Sequence, residues 1–139
     1  MSVNSIPRES CKIRIAAAII ADASGRLLLV RKRGTSGFMQ PGGKIEPHEE
    51  PLDALVRELN EELGLVIDPA TASPLGLFSA QAANEPDYTV DAELFTVSIE
   101  SQPVPAAEIE EMIWLDPTAA NGLDLAPLTR DVVLQLNGR

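Results

Sequence analysis

The sequence predicts an α/β sandwich built around a mixed β-sheet, and three observations carry that prediction. Apolar runs with strand character are interspersed with helical segments along the chain rather than segregated from them. One segment, residues 51–63, places its apolar residues on a single helical stripe. The length of 139 residues, 45% hydrophobic and 23% charged, suits one core of ordinary composition. Residues 1–10 read as a flexible N-terminal segment and residues 11–139 as a single domain, with no repeat or linker to divide it.

Cys11–Ala21, rich in Ile, reads as the first strand, and Leu27–Lys32 (LLLVRK) as the second. The turn signal DASG lies between them, so the pair is expected to form a hairpin. Arg33–Gly43 holds four glycines and Pro41 and reads as loop. Pro51 then suits a first helical turn, where its missing amide is no loss. Leu52, Leu55, Val56, Leu59 and Leu63 recur at i, i+3, i+4, i+7 and i+11, and Gly64 supplies the stop. Beyond the helix, Leu75–Gln81, Tyr88–Ile99 and Met112–Leu115 read as strands and Leu125–Leu136 as a closing helix.

The net charge of −10 argues against nucleic-acid polymers and anionic membranes as partners. A small anionic ligand stays compatible with it, because a bound cation inverts the local field. A lone cysteine, Cys11, excludes an internal disulfide and a cysteine metal cage, and reads as a buried strand thiol. The polar start MSVNSIPRES has no apolar run beside it, so no signal peptide is expected. The longest apolar run, Ile15–Ala21, is too short to span a bilayer. A cytoplasmic location follows as the default expectation.

The negative charge is concentrated. Between Gly43 and Leu65 stand Glu46, Glu49, Glu50, Asp53, Glu58, Glu61 and Glu62 against only Lys44 and Arg57. At about 100° per residue, Glu58, Glu61 and Glu62 share one arc of the helix, set apart from the leucine stripe. A solvated surface face is the ordinary reading of such an arc. Here no lysines dilute it at i+4, and it abuts the open backbone of PGGK. Clustered carboxylates without His or Cys suit Mg²⁺ or Mn²⁺ rather than zinc.

From Gly43 the chain runs five residues to Glu49, seven more, and then Arg57-Glu58-Leu59-Asn60-Glu61-Glu62-Leu63-Gly64-Leu65. That spacing resembles the Nudix box, G-x5-E-x7-R-E-U-x-E-E-x-G-U, at every specified position. Outside the box, IAAAIIADASGRLLLVRK followed by PGGKIE resembles the small MutT-like members, and EIEEMIWL resembles the family's late acidic loop and strand. The resemblance implies a Nudix-type α/β/α sandwich and a Mg²⁺-dependent hydrolase (Mn²⁺ possible as the ion) of a nucleoside diphosphate linked to another group. The expected reaction takes a (d)NTP or modified NTP to NMP and pyrophosphate. Alternatives are ADP-ribose, nucleotide-sugar or dinucleotide hydrolysis, or a nucleotide-binding regulator without turnover, for which an eroded box would be expected. The partner is a small nucleotide, and the assembly a monomer or homodimer.

Carried over residue by residue, the resemblance makes Glu58, Glu61, Glu62 and the Gly42 carbonyl metal ligands. Gly43, Glu49, Arg57 and Gly64 would support the box. Glu58 and Glu108 are candidates for the general base, with Glu93 a more distant one. Arg31, Lys32 and Lys44 are candidates to hold phosphate by charge-assisted hydrogen bonds. Phe38, Phe78, Tyr88 and Asp124 are candidates to contact the base, although core burial is the ordinary fate of a Phe. His48 stands where the box often has glycine and reads as a surface residue, and Trp114 as packing. The likeness departs near the final helix, where LAPLTR offers no asparagine and only Asn121 and Asp124 lie upstream. GFMQPGGK is one residue too long for a P-loop and has Ile45 in place of its Ser/Thr.

Overall fold

The structure is a computed structural model that describes residues 12–119 and 122–137. The segment 1–10, Cys11 and Asn121 therefore lie outside the described residues. Six strands are formed: β1 Lys12–Ile19, β2 Leu27–Lys32, β3 Gly42–Lys44, β4 Ser73–Gln81, β5 Thr89–Thr96 and β6 Ile109–Leu115. The main helix α1 spans Pro51–Leu63, and a π-helical turn, Thr129–Val133, leads into the short helix α2, Leu134–Asn137.

The larger sheet has the order β3-β1-β5-β4, with β1 and β5 parallel and the other pairs antiparallel. It is mixed, as expected. The alanines of β1 let layers approach closely on both sides. Ala16, Ala18 and Ile20 pack in one cluster with Leu55, Leu59 and Leu63 of α1, and Ala17 packs in another with Leu128 and Val133. Helical segments thus cover the two faces, which makes the α/β/α sandwich.

The expected hairpin between the first two strands is corrected. Pairing across the turn lasts only from the Asp22–Arg26 bond to the Leu28 N–H that donates to Ile20 O. Beyond that β1 has no free edge, because β5 occupies one side and β3 the other. β2 therefore leaves to pair with β6 in a separate two-stranded sheet. The expected loop Arg33–Gly43 is also corrected at its end, since Gly42 and Gly43 belong to β3. The closing helix begins later than Leu125, which instead bridges Phe38.

α1 is fixed at its ends by backbone chemistry. Pro51 occupies the first turn, and Gly64 adopts φ 66°, the left-handed region that glycine tolerates. Gly64 N–H donates to Asn60 O, the bond of an αL stop, and Leu65 N–H donates to Leu59 O. Leu55, Leu59 and Leu63 are fully buried, each such burial contributing roughly 1.5–3 kcal/mol.

His48, in the exposed turn before α1, has φ 67°. A side chain with a Cβ is disfavoured there, which gives a physical reason for glycine at this place in similar boxes. His48→Gly is expected to raise stability by about 0.5–1 kcal/mol with activity unchanged. Denaturant unfolding measures it, and a loss of stability would show that the imidazole makes a compensating contact.

Candidate active site

Two glycines bring backbone against the acidic helix. Gly42 and Gly43 pair with Ala17 and Ala16 of β1. A Cβ on Gly42 would collide with the Ala16 and Ala17 backbone, and its φ of 147° is itself unfavourable for other residues. A Cβ on Gly43 would lie 2.5 Å from the Glu58 carboxyl carbon. The missing side chain is the space in which the Glu58 carboxylate sits. Gly42 N–H donates to Glu62 Oε1 at 3.3 Å.

Arg57 organises the surrounding carboxylates. Its Nε donates to Glu49 Oε2 and its Nη2 to Glu49 Oε1, each at 2.9 Å, a bidentate fork. Nη2 also donates to Lys44 O at 3.1 Å and Nη1 to Glu58 Oε2 at 3.0 Å. Glu61 Oε2 lies 3.7 Å from Nη1. Glu49 Oε1 accepts in addition from Glu46 N–H, so the turn between β3 and α1 is closed around this one guanidinium. Hydrogen bonds from Arg57 first, then the Glu46 N–H, pull the Glu49 carboxyl down to about 2. Arg57 is in turn raised above its ordinary value, chiefly by Glu49.

Glu62 behaves oppositely. It is 6% exposed, and burial pushes its carboxyl up to about 8, with the charge of Glu58 adding to the shift. The Gly42 N–H and the Lys32 charge oppose that shift without cancelling it. Among the described residues no three acidic, His or Cys side chains converge as a ready-made cation cage. Arg57 draws Glu58 and Glu61 to its flank while Glu62 turns to Gly42.

These groups open on a cavity of about 350 Å³ lined by Lys32, Gly43, Lys44, the three glutamates, Ala107 and Glu108. Glu108 is brought there by a strap. Val104 N–H donates to Leu63 O and Ala106 N–H to Glu62 O, capping the end of α1. Ala107 at φ 52° then turns the chain, and Glu108 O accepts from Arg33 N–H. Lys32, Gly43 and Lys44 also border a second, more apolar cleft of about 160 Å³, whose walls include Ile15, Met39, Gln40, Val90 and Leu128.

Several candidates are not brought to either cavity. Arg31 is engaged elsewhere, its Nη2 3.0 Å from Glu111 Oε1 and its Nη1 donating to Thr35 O at 2.8 Å. Phe38 is buried with Leu29, Leu115 and Leu125, and its N–H donates to Asp124 O. Phe78 packs with the cluster beneath the closing helix. Tyr88 is 40% exposed and, like Asp124 and Glu93, lines neither cavity. Gln40 and Thr129, which form a buried polar pair beside the apolar cleft, were not singled out from the sequence. The one available signal was the position of Gln40 directly before PGGK.

The raised Glu62 carboxyl sets a pH dependence of stability. Folded protein without divalent ions keeps the proton between about 4.5 and 8, whereas the unfolded chain has released it. The resulting stabilisation is whole below about 4.5 and disappears as pH rises through about 8. Glu49 acts with opposite sign, stabilising above about 4.5 and losing that contribution as pH falls through about 2. Denaturation in chelator should therefore show stability declining from pH 5 to 9 (about four pH units). Glu62→Gln should flatten that decline, and an undiminished slope would assign it to another group.

Comparison with known proteins identifies the family. The family described as NUDIX domain matches residues 12–136. The 8-oxo-dGTP diphosphatase of Escherichia coli K12 is 28% identical over 130 residues, covering 90% of this chain and 96% of that protein. The RNA pyrophosphohydrolase of Halorhodospira halophila is 45% identical over 58 residues, 42% of this chain, which spans only 31% of that protein. The crystal structure of a MutT NUDIX hydrolase from Burkholderia pseudomallei superposes with a TM-score of 0.75 at 22% identity, covering 89% of this chain and 96% of that one. With the family's match running almost the whole length of the described chain, this protein belongs to the NUDIX domain family and is a MutT-like Nudix hydrolase.

Proposed function

We propose that the chain hydrolyses a nucleoside triphosphate, standard or modified, to the monophosphate and pyrophosphate, with Mg²⁺ or Mn²⁺ held by Glu58, Glu61, Glu62 and the Gly42 carbonyl. The observation that carries the reading is the buried Glu62 beside Glu58 in the space left by Gly43, opening on a cavity that also holds Lys32, Lys44 and Glu108. Two carboxylates pressed together, one with its proton affinity raised, form a donor set of hard oxygens that fits a small divalent cation. Bringing Glu58 and Glu61 fully onto an ion requires them to leave Arg57, which stays neutralised by the Glu49 fork. When bound, the ion supplies positive charge against the phosphate oxygens as the anhydride bond breaks.

The chain's own residues supply the remainder. Lys32 and Lys44 border both cavities, so a polyphosphate passing between them meets two ammonium groups. Glu108 takes a proton from the attacking water. The water oxygen bonds to phosphorus, the bridging P–O bond breaks, and the pyrophosphate leaves with that electron pair. The apolar cleft receives the nucleoside. The triphosphate class is favoured because the E. coli relative that spans nearly the whole chain is an 8-oxo-dGTP diphosphatase. The likeness to an RNA pyrophosphohydrolase covers 58 residues, and a net charge of −10 disfavours an RNA polyanion. We place the protein in the cytoplasm, a reading compatible with there being no helix among the described residues long and apolar enough to cross a membrane.

A panel of dNTPs, NTPs, ADP-ribose, nucleotide-sugars and dinucleotides, with Mg²⁺ and product identification, tests the assignment. Release of pyrophosphate from triphosphates is expected, and activity confined to the other classes would overturn it. Glu62→Gln should abolish turnover while the folded state survives, whereas near-normal rates would remove Glu62 from the site. Glu108→Gln should slow turnover by about 10²–10⁴-fold as the loss of a general base, and an unchanged rate rejects that role.

A further inference from the structure

The ladder between β2 and β6 carries one irregularity, and it falls beside the active site. Arg31 lies opposite Glu111 but Lys32 lies opposite Ile109, so Glu110 is an extra residue on β6. In a regular register Lys32 would face Glu110, whose carboxylate would claim its ammonium, and Glu108 would face Gly34. With the bulge, Lys32 sits opposite an apolar side chain, and Glu108 O accepts from Arg33 N–H at 2.8 Å. Lys32 and Glu108 both then line the cavity of the three glutamates.

The bulged register is held by residues that line neither cavity. Arg31 Nε and Nη2 reach Glu111 Oε1 at 3.1 and 3.0 Å, and Nη1 donates to Thr35 O at 2.8 Å. Thr35 in turn directs its N–H and its hydroxyl to Lys32 O, at 3.1 and 2.9 Å. One guanidinium thus ties β6 to the turn that ends β2, across the place of the bulge. Side chains alternate along a regular strand, so the neighbours Glu110 and Glu111 would point to opposite faces. The extra residue lets both meet arginines on β2 and its extension, Glu110 Oε1 lying 3.2 Å from Arg33 Nε. That outer pair is 68% and 47% exposed and holds weakly, whereas the Arg31 side chain is 23% exposed, so Arg31 is the main lock.

We propose that Arg31 is a positioning residue that fixes this bulge and thereby holds Glu108 where its carboxylate meets the attacking water. The role rests on the reading of Glu108 as the general base. Arg31 touches no part of the cavity, so its loss acts on the rate through Glu108.

The test is a double-mutant cycle in kcat, measured with Mg²⁺ and saturating triphosphate. Arg31→Met should lower kcat by about 10- to 100-fold, the scale of a misplaced catalytic group. In a Glu108→Gln background the same substitution should cost less than about twofold, because the group it places is already gone. Glu111→Leu should show the same pattern. No loss in Arg31→Met, or an equal loss in both backgrounds, would overturn the proposal, since a general loss of folded protein scales both alike. Should Glu108→Gln leave the rate unchanged, or wild type turn over nothing, the reading of the site is what has failed. Amide hydrogen exchange then decides the part of Arg31 alone. Protection of the Arg33 N–H should fall at least about 10-fold in Arg31→Met while the Leu28 and Val30 amides keep theirs. Unchanged protection at Arg33 rejects the lock.

Discussion

The site depends on a steric constraint: β3 must pass between β1 and α1 with no side chain on either of its first two residues. Gly42 is pressed against the backbone of Ala16 and Ala17, and Gly43 against the Glu58 carboxylate. Any Cβ there would push β3 off β1 or Glu58 out of its place. Because the approach is so close, Glu62 is covered although it belongs to the polar arc of its helix. A carboxylate that would be solvated on an open helix becomes buried. The proton affinity of Glu62 is thus a consequence of backbone packing.

Crowded acids need a counter-charge, and Arg57 provides a fixed one. Its fork to Glu49 has only partial exposure, 27% for the arginine side chain and 17% for the glutamate, so solvent screens it less than an open surface pair. That fork holds the turn between β3 and α1 whether or not Glu58 and Glu61 are engaged. Glu49 and Arg57 thereby separate scaffold from chemistry. The scaffold carboxyl is pulled down and stays ionised, while the buried Glu62 is pushed up. Residues of one type in one short segment take divergent roles because one has a guanidinium and the other has burial.

How much of this was legible in the sequence follows from the range of the interactions. α1 was readable because its stripe, Pro51 and Gly64 are all local signals, and they agree. The mixed sheet was readable in class but not in pairing, since adjacency suggested that β2 would fold onto β1. Only the distant β5 and β3 reveal that both edges of β1 are taken. The spacing of glutamates placed Glu58, Glu61 and Glu62 on one arc, but nothing local shows that Glu62 alone is covered. Arg31 and Lys32 looked equivalent as sequence neighbours. On a strand they point apart, and the irregularity between them sets Arg31 against Glu111 while Lys32 borders the cavity. A single glutamine before PGGK has no pattern to mark it, because its meaning arises from Thr129, 89 residues away.

The loop carrying Glu108 illustrates how the fold ties its parts together at low entropic cost. Pro103 and Pro105 have no amide to offer, so the amides of Val104 and Ala106 on either side of Pro105 are the ones presented to the helix. They meet the carbonyls of Leu63 and Glu62, which the end of α1 leaves without helical partners. The proline rings restrict the unfolded loop as well, so less freedom is lost when it docks. Glu62 therefore contributes twice: its carboxylate faces the cavity and its backbone oxygen anchors the strap that delivers Glu108.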